Sequence, residues 1–129
     1  MEILQVAQHA DDLDRASAFY SGLFGGPPAG RFDPPGLLFF NVGTSRLLLE
    51  QAAPSAVIYL LVDDVRALIA QLRSRSVEIV EEPHVIFSHT DDLLGPAGTD
   101  EWMAFIRDSE GNVLGLVSHE PRHEPRHDP

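Results

Sequence analysis

"DDLDRASAFYSGLF", residues 11–24, and "DDVRALIAQLRSRS", residues 63–76, decide how this chain is organised. Each opens with an acidic pair suited to a helix N-cap. A carboxylate there accepts the free amide hydrogens of the first turn and complements the helix dipole. Leu13, Ala16, Tyr20 and Leu23 recur at helical spacing in the first stretch, and Val65, Leu68, Ile69 and Leu72 in the second. Both stretches read as amphipathic helices with one buried face. Their capping residues, Asp12 and Asp64, lie 52 positions apart.

Working outward, each helix follows an apolar run, "EILQVAQ" (2–8) before the first and "SAVIYLLV" (55–62) before the second. Further strand-like runs come after each helix. In the first half these are "GLLFFNV" (36–42) and "SRLLLEQ" (45–51), split by a Gly43-Thr44 turn. In the second half they are "VEIVEEPHVIFSH" (77–89), "EWMAFIRD" (101–108) and "NVLGLVS" (112–118), with a Glu110-Gly111-Asn112 turn before the last. The order is βαβββ, repeated, which implies two α+β modules that bury their apolar faces together. Module one spans about 1–53 and module two about 54–119, as one domain. "FGGPPAGRFDPPG" (24–36) reads as a turn-laden connection. "HTDDLLGPAGTD" (89–100) is long for a hairpin, and Leu93 and Leu94 within it read as lid residues. The closing "EPRHEPRHDP" (120–129) reads as a flexible polar tail whose His123 and His127 could hold a metal only loosely.

Composition narrows the function classes. The chain has 129 residues, no cysteine and a formal net charge of −11, and all nine of its basic residues are arginine. Disulfides, thiolate metal sites and a cysteine nucleophile are excluded. An acidic chain without a basic stripe is a poor partner for nucleic acid or an anionic membrane, because phosphate neutralisation dominates such binding. No apolar run approaches 18 residues and no basic leader precedes an apolar stretch, so a soluble cytoplasmic protein is expected. "LFGGPPAG" lacks the lysine and following helix of a phosphate loop, and no nucleophile elbow is present.

Three segments, "DLDRASAFYSGLFG" (12–25), "LLVDDVRALIAQLRSRSVEIVEEP" (60–83) and "WMAFIRDSEGNVLGL" (102–116), together resemble the vicinal oxygen chelate superfamily. This is the fold of glyoxalase I, bleomycin-resistance proteins and extradiol dioxygenases. The last segment is similar to the family ending F-x-D-P-x-G-N-x-x-x-L, with Ser109 in place of the proline. The resemblance implies two βαβββ modules forming a curved eight-stranded mixed sheet around a cleft, with the helices on its outer face. It also implies a homodimer. In metal-dependent relatives four inward-facing side chains hold a divalent ion that acts as a Lewis acid. Carried over position by position, these places fall on Gln5, Leu48, Val57 and Gly115, with Glu50 as the choice of a shifted register. Valine and leucine have no donor atoms and glycine has no side chain, so the usual metal site is expected to be absent and no cofactor is expected.

Gln5 then reads either as a hydrogen-bonding handle for a ligand or as an amide satisfied by its neighbours. The residues sharing its surroundings, Leu48, Glu50, Val57, Tyr59 and Gly115 among them, describe an apolar cavity with a few polar groups. Trp102 reads as lining the cleft, a dimer interface or the core. His84 and His89, with Asp91, Asp92 and Glu101 nearby, suggest an acid–base or second metal cluster. Strict alternation would put the two histidines on opposite faces and leave His84 alone as a proton-transfer residue near the cleft mouth. The expected function is a metal-independent protein that binds a small, largely apolar molecule. The alternatives are a lyase, isomerase or epimerase of the glyoxalase type, metal-dependent if the ligand register differs, and a structural or partner-binding module with a filled cleft.

Overall fold

A computed structural model describes residues 3–122. The elements run β1 (Gln5–His9), α1 (Leu13–Phe24), β2 (Gly30–Phe32), β3 (Leu37–Val42), β4 (Ser45–Glu50), β5 (Ile58–Leu61), α2 (Val65–Ser74), β6 (Ile79–Ser88), β7 (Thr99–Arg107) and β8 (Val113–Pro121). This is βαβββ twice over, an α+β architecture. The eight strands fall into two mixed sheets of four, ordered β1-β4-β3-β2 and β5-β8-β7-β6. The first strand after α1 is β2, three residues inside the Gly- and Pro-rich stretch read as a connection. Strand β8 runs through Pro121. His123 and His127 lie outside the described residues. Among those described, no helix is long and apolar enough to cross a membrane.

The described residues divide into two compact units, one of residues 3–58 with 107–113, the other of 59–106 with 114–122. The turn after β7 belongs with the first unit.

In the first unit both ends of α1 are sealed. The Asp12 carboxylate accepts from the Arg15 amide at 3.0 Å. Gly25, in the left-handed region at φ 75°, closes the far end and donates to the Ser21 carbonyl. Ala16 and Tyr20 form the buried stripe. The Tyr20 ring lies among Phe19, Phe24 and Phe40, with centroids 5.1–5.9 Å away. Leu38, Leu47 and Leu49 complete this core. Gln8 is also buried on it, with neither amide atom paired.

The 107–113 turn is tied to the same helix. The Tyr20 hydroxyl donates to Asp108 Oδ2 at 2.6 Å. Asp108 Oδ1 accepts from the amides of Glu110 (2.8 Å) and Asn112 (2.7 Å). Glu110 takes both Nε (2.6 Å) and a terminal nitrogen (2.9 Å) of Arg15, and the Asp12 amide at 2.9 Å. Asn112 donates to the His9 carbonyl at 2.7 Å and accepts from the Ser55 hydroxyl. The acidic and amide residues of "DSEGN" therefore fix a turn against a helix, which is a structural task.

In the second unit Asp64 caps α2 by accepting from the Ala67 amide at 3.1 Å. Val65, Ile69 and Leu72 are buried, as the periodicity predicts. Arg66 of this helix stacks 4.2 Å from the Trp102 ring centroid. That contact places Trp102 on the helix side of its sheet, along with the buried Ala104 and Ile106.

Candidate functional site

Register decides which side chains share a face, because paired residues in neighbouring strands point the same way and alternate along each strand. In the first sheet Gln5 pairs with Arg46, Ala7 with Leu48 and His9 with Glu50. Phe39 pairs with Leu48 and Leu37 with Glu50. Gln5, Leu48 and Glu50 therefore lie on one face, the one away from α1, together with Ala7 and Phe39. Leu48 is buried, Glu50 is half-buried and Gln5 is exposed. The Arg46 guanidinium sits 5.8 Å from the centroid of Phe39 on the same face.

In the second sheet the face away from α2 carries Glu101, Met103 and Phe105 of β7. Tyr59 of β5 meets Phe105 edge to face, with centroids 6.0 Å apart. Gly115 lies under this pair. A Cβ built on it would fall 2.6 Å from Tyr59 Cδ1 and 3.2 Å from Phe105 Cε1. A side chain there would fit only if the Tyr59 ring moved aside, since the two rings occupy what it would fill. Tyr59 remains 56% exposed, and Phe87 and Leu61 are also exposed. Val57 stands one residue before β5 and is exposed.

Trp102, expected among the ligand-binding residues, is on the opposite side of the sheet under Arg66, so it does not join Tyr59 and Gly115. Residue 102 has the parity of the buried 104 and 106.

Alternation fails for the histidines of β6. His84 pairs with Met103 and Val85 with Trp102, but Phe87 pairs with Glu101. Ile86 is the extra residue of a bulge. His89 then lies opposite Thr99, through bonds His89 N–H to Thr99 O and Gly98 N–H to His89 O, both 2.8 Å. His84 and His89 are consequently on the same face, contrary to the expectation from strict alternation. They still have separate partners. The ring of His84 contacts the Glu82 carbonyl at 2.9 Å and lies 3.5 Å from the Glu81 carboxylate.

His89 instead meets Glu101 and His119. The Nε2 atoms of both histidines lie 3.0 Å from the same carboxylate oxygen, Glu101 Oε1. Burial opposes ionisation of Glu101, but the bonds from His119 and His89 outweigh it and hold the carboxyl below its ordinary range. The His89 ring also packs edge to face on Phe87 (4.8 Å) and on His119 (5.2 Å). His119 was missed from the sequence. Its signal was present, because 115, 117 and 119 share a face of β8.

A recess of about 280 Å³ lies at the start of α1, lined by Asp11, Asp12, Asp14, Arg31 and Asp33 among others. Its acidic wall does not suit an apolar molecule. Arg31 is already engaged there by Asp14 at 2.6 Å.

Comparison with known proteins agrees with this architecture. The family model "Glyoxalase/Bleomycin resistance protein/Dioxygenase superfamily" matches residues 2–116. The chain belongs to that superfamily. Among solved structures, lactoylglutathione lyase from Agrobacterium tumefaciens is 25% identical with a TM-score of 0.67, over 91% of this chain and 92% of that one. A glyoxalase/bleomycin resistance protein/dioxygenase from Alicyclobacillus acidocaldarius is 17% identical with a TM-score of 0.63, over 92% and 91% of the two chains. A virulence protein from Salmonella typhimurium is 16% identical with a TM-score of 0.68, over 92% and 96%. The last two likenesses bear on the fold alone. A search of curated proteins finds no significant match.

The ion held by metal-dependent members of the glyoxalase/bleomycin-resistance superfamily does not fit the residues at the corresponding places here. Leu48 and Val57 offer no donor, and Gly115 offers no side chain. The space beside Gly115 is taken by the rings of Tyr59 and Phe105. Gln5 and Glu50 alone supply one neutral amide and one carboxylate, too few for a hard or borderline divalent ion.

Proposed function

We propose that this superfamily member binds a small, largely apolar molecule against the non-helical face of its second sheet, without an ion at the family's usual positions. The observation that carries the reading is the pair of rings over Gly115. Where a metal enzyme of the family would place a ligating side chain, this chain places Tyr59 and Phe105 edge to face at 75°, with Tyr59 largely exposed. Edge-to-face aromatic rings with exposed apolar neighbours favour a flat or hydrophobic ligand over a chelated one. Gln5, exposed on the corresponding face of the first sheet, is read as a hydrogen-bonding handle, and the protein as a homodimer.

The test uses 1-anilinonaphthalene-8-sulfonate as the apolar probe, titrated into the folded protein under native conditions. Saturable binding is expected, weakened about tenfold by Tyr59→Ser, which corresponds to about 1.4 kcal/mol of lost contact. The melting temperature should move little, because Tyr59 is more exposed than buried. Absence of saturable binding, or equal affinity in Tyr59→Ser, would overturn the reading.

A further inference from the structure

We infer that His89, Glu101 and His119 form a binding site for a divalent transition-metal ion, built from residues other than Gln5, Leu48, Val57 and Gly115. The three residues come from the position just after β6, from β7 and from β8, and these are adjacent strands of one sheet. One ligand atom from each lies within 4.8 Å of the other two. Tetrahedral zinc with nitrogen and oxygen ligands separates its donors by about 3.3 Å. The two His Nε2 to Glu101 Oε1 distances, 3.0 Å each, are already near that value. An ion entering between the three atoms would need only small side-chain rotations.

The set has the chemistry such an ion prefers. Two imidazoles and one carboxylate suit Zn²⁺ and its first-row neighbours, and three protein ligands leave coordination positions open. The arrangement is also held in place. The His89 side chain is only 2% exposed, and its backbone is fixed by the Thr99 and Gly98 bonds. Its carbonyl accepts in addition from Arg122 at 3.2 Å. Glu101 and His119 are 19% and 21% exposed, so solvent or a further ligand can reach the open side.

Gly95 is the independent observation. Its φ is not in the left-handed region, so backbone conformation does not call for glycine there. A Cβ at this position would lie 2.8 Å from both Cε1 and Nε2 of His89 and 3.1 Å from Nε2 of His119. The 89–98 loop thus packs its backbone against the two imidazoles, and any side chain at 95 would press on their Nε2 atoms.

The experiment is zinc binding by the full chain after chelator treatment, read by calorimetry and by metal analysis after dialysis. About one ion per chain is expected for the wild type and for His123→Ala/His127→Ala, which removes the tail histidines. Glu101→Gln keeps the shape of the side chain and removes its charge, so it is expected to weaken binding roughly 100-fold, as is His119→Ala. His84→Ala should bind as the wild type does. Melting curves of the metal-free variants confirm folding, and Glu101→Gln provides the result if His119→Ala fails to fold. No saturable binding by the wild type, binding that survives Glu101→Gln, or binding lost with the tail histidines would each overturn the inference.

Discussion

Tyr20→Ala is expected to lower the unfolding free energy by about 4–5 kcal/mol, enough to unfold a marginal domain at ambient temperature. Tyr20 is completely buried and fills the space between α1 and Phe40. Truncation leaves a ring-sized cavity and removes packing on Phe19 and Phe24. It also strips Asp108 of its shortest bond, the 2.6 Å contact from the phenol. Tyr20→Phe separates the two effects. It keeps the ring and is expected to cost about 2 kcal/mol, the usual penalty for a lost bond to a charged partner. The remainder of the alanine loss then belongs to packing. Chemical denaturation of both variants checks this, and equal losses would show that the hydroxyl, not the ring, carries the stabilisation. Burial and the adjacent Asp108 carboxylate both push the phenol above its ordinary range, so it stays protonated and able to donate at any working pH.

The second large effect concerns Glu110. Its side chain is inaccessible to solvent beneath Arg15. The hydrogen bonds from Arg15, opposed by burial and reinforced by the Asp12 amide, depress its carboxyl from 4.5 to about 2. At about 1.4 kcal/mol per unit, the shift contributes on the order of 3 kcal/mol. The sign follows from the depressed value. Ionised Glu110 stabilises the fold fully above about pH 5, and that contribution is lost as pH falls from there toward 2. Glu110→Gln should therefore be less stable than the wild type by on the order of 3 kcal/mol at pH 7, with the gap closing progressively under acid. Melting temperatures of the two proteins across pH 3–7 measure the gap. A difference independent of pH would assign the loss to shape instead of charge.

The helices and most strands were legible because each carried a local physical signal. Asp12 and Asp64 cap as their position implies, and the apolar spacing of Tyr20, Val65, Ile69 and Leu72 points to the buried faces. The strand β2 was not legible, since its three residues stand between prolines and glycines and are defined by pairing with β3. The second unit shows the sharper limit. Period-2 reasoning holds only while strands pair without interruption, and β6 carries three register shifts against β7. The shift at Ile86 returned His89 to the face of His84 and opposite Thr99, where it reaches Glu101. No local pattern announces such a bulge. Gly115 was legible as a position without a ligating side chain, but the packing of Tyr59 and Phe105 against it depends on contacts between β5, β7 and β8. The role of "DSEGN" as a tether for α1 was hidden for the same reason, because Tyr20 and Arg15 lie some ninety residues away in sequence.

The central claim is that this superfamily member does not hold an ion at the family's usual positions. It is tested most directly by the zinc content of Gln5→Ala/Glu50→Ala beside that of the wild type, after both are loaded and dialysed identically. These two residues are the only donors at those positions. Equal content in the two proteins is predicted, whatever its absolute value. Zinc present in the wild type and lost from the double variant would contradict the account and place a metal at the family's usual positions.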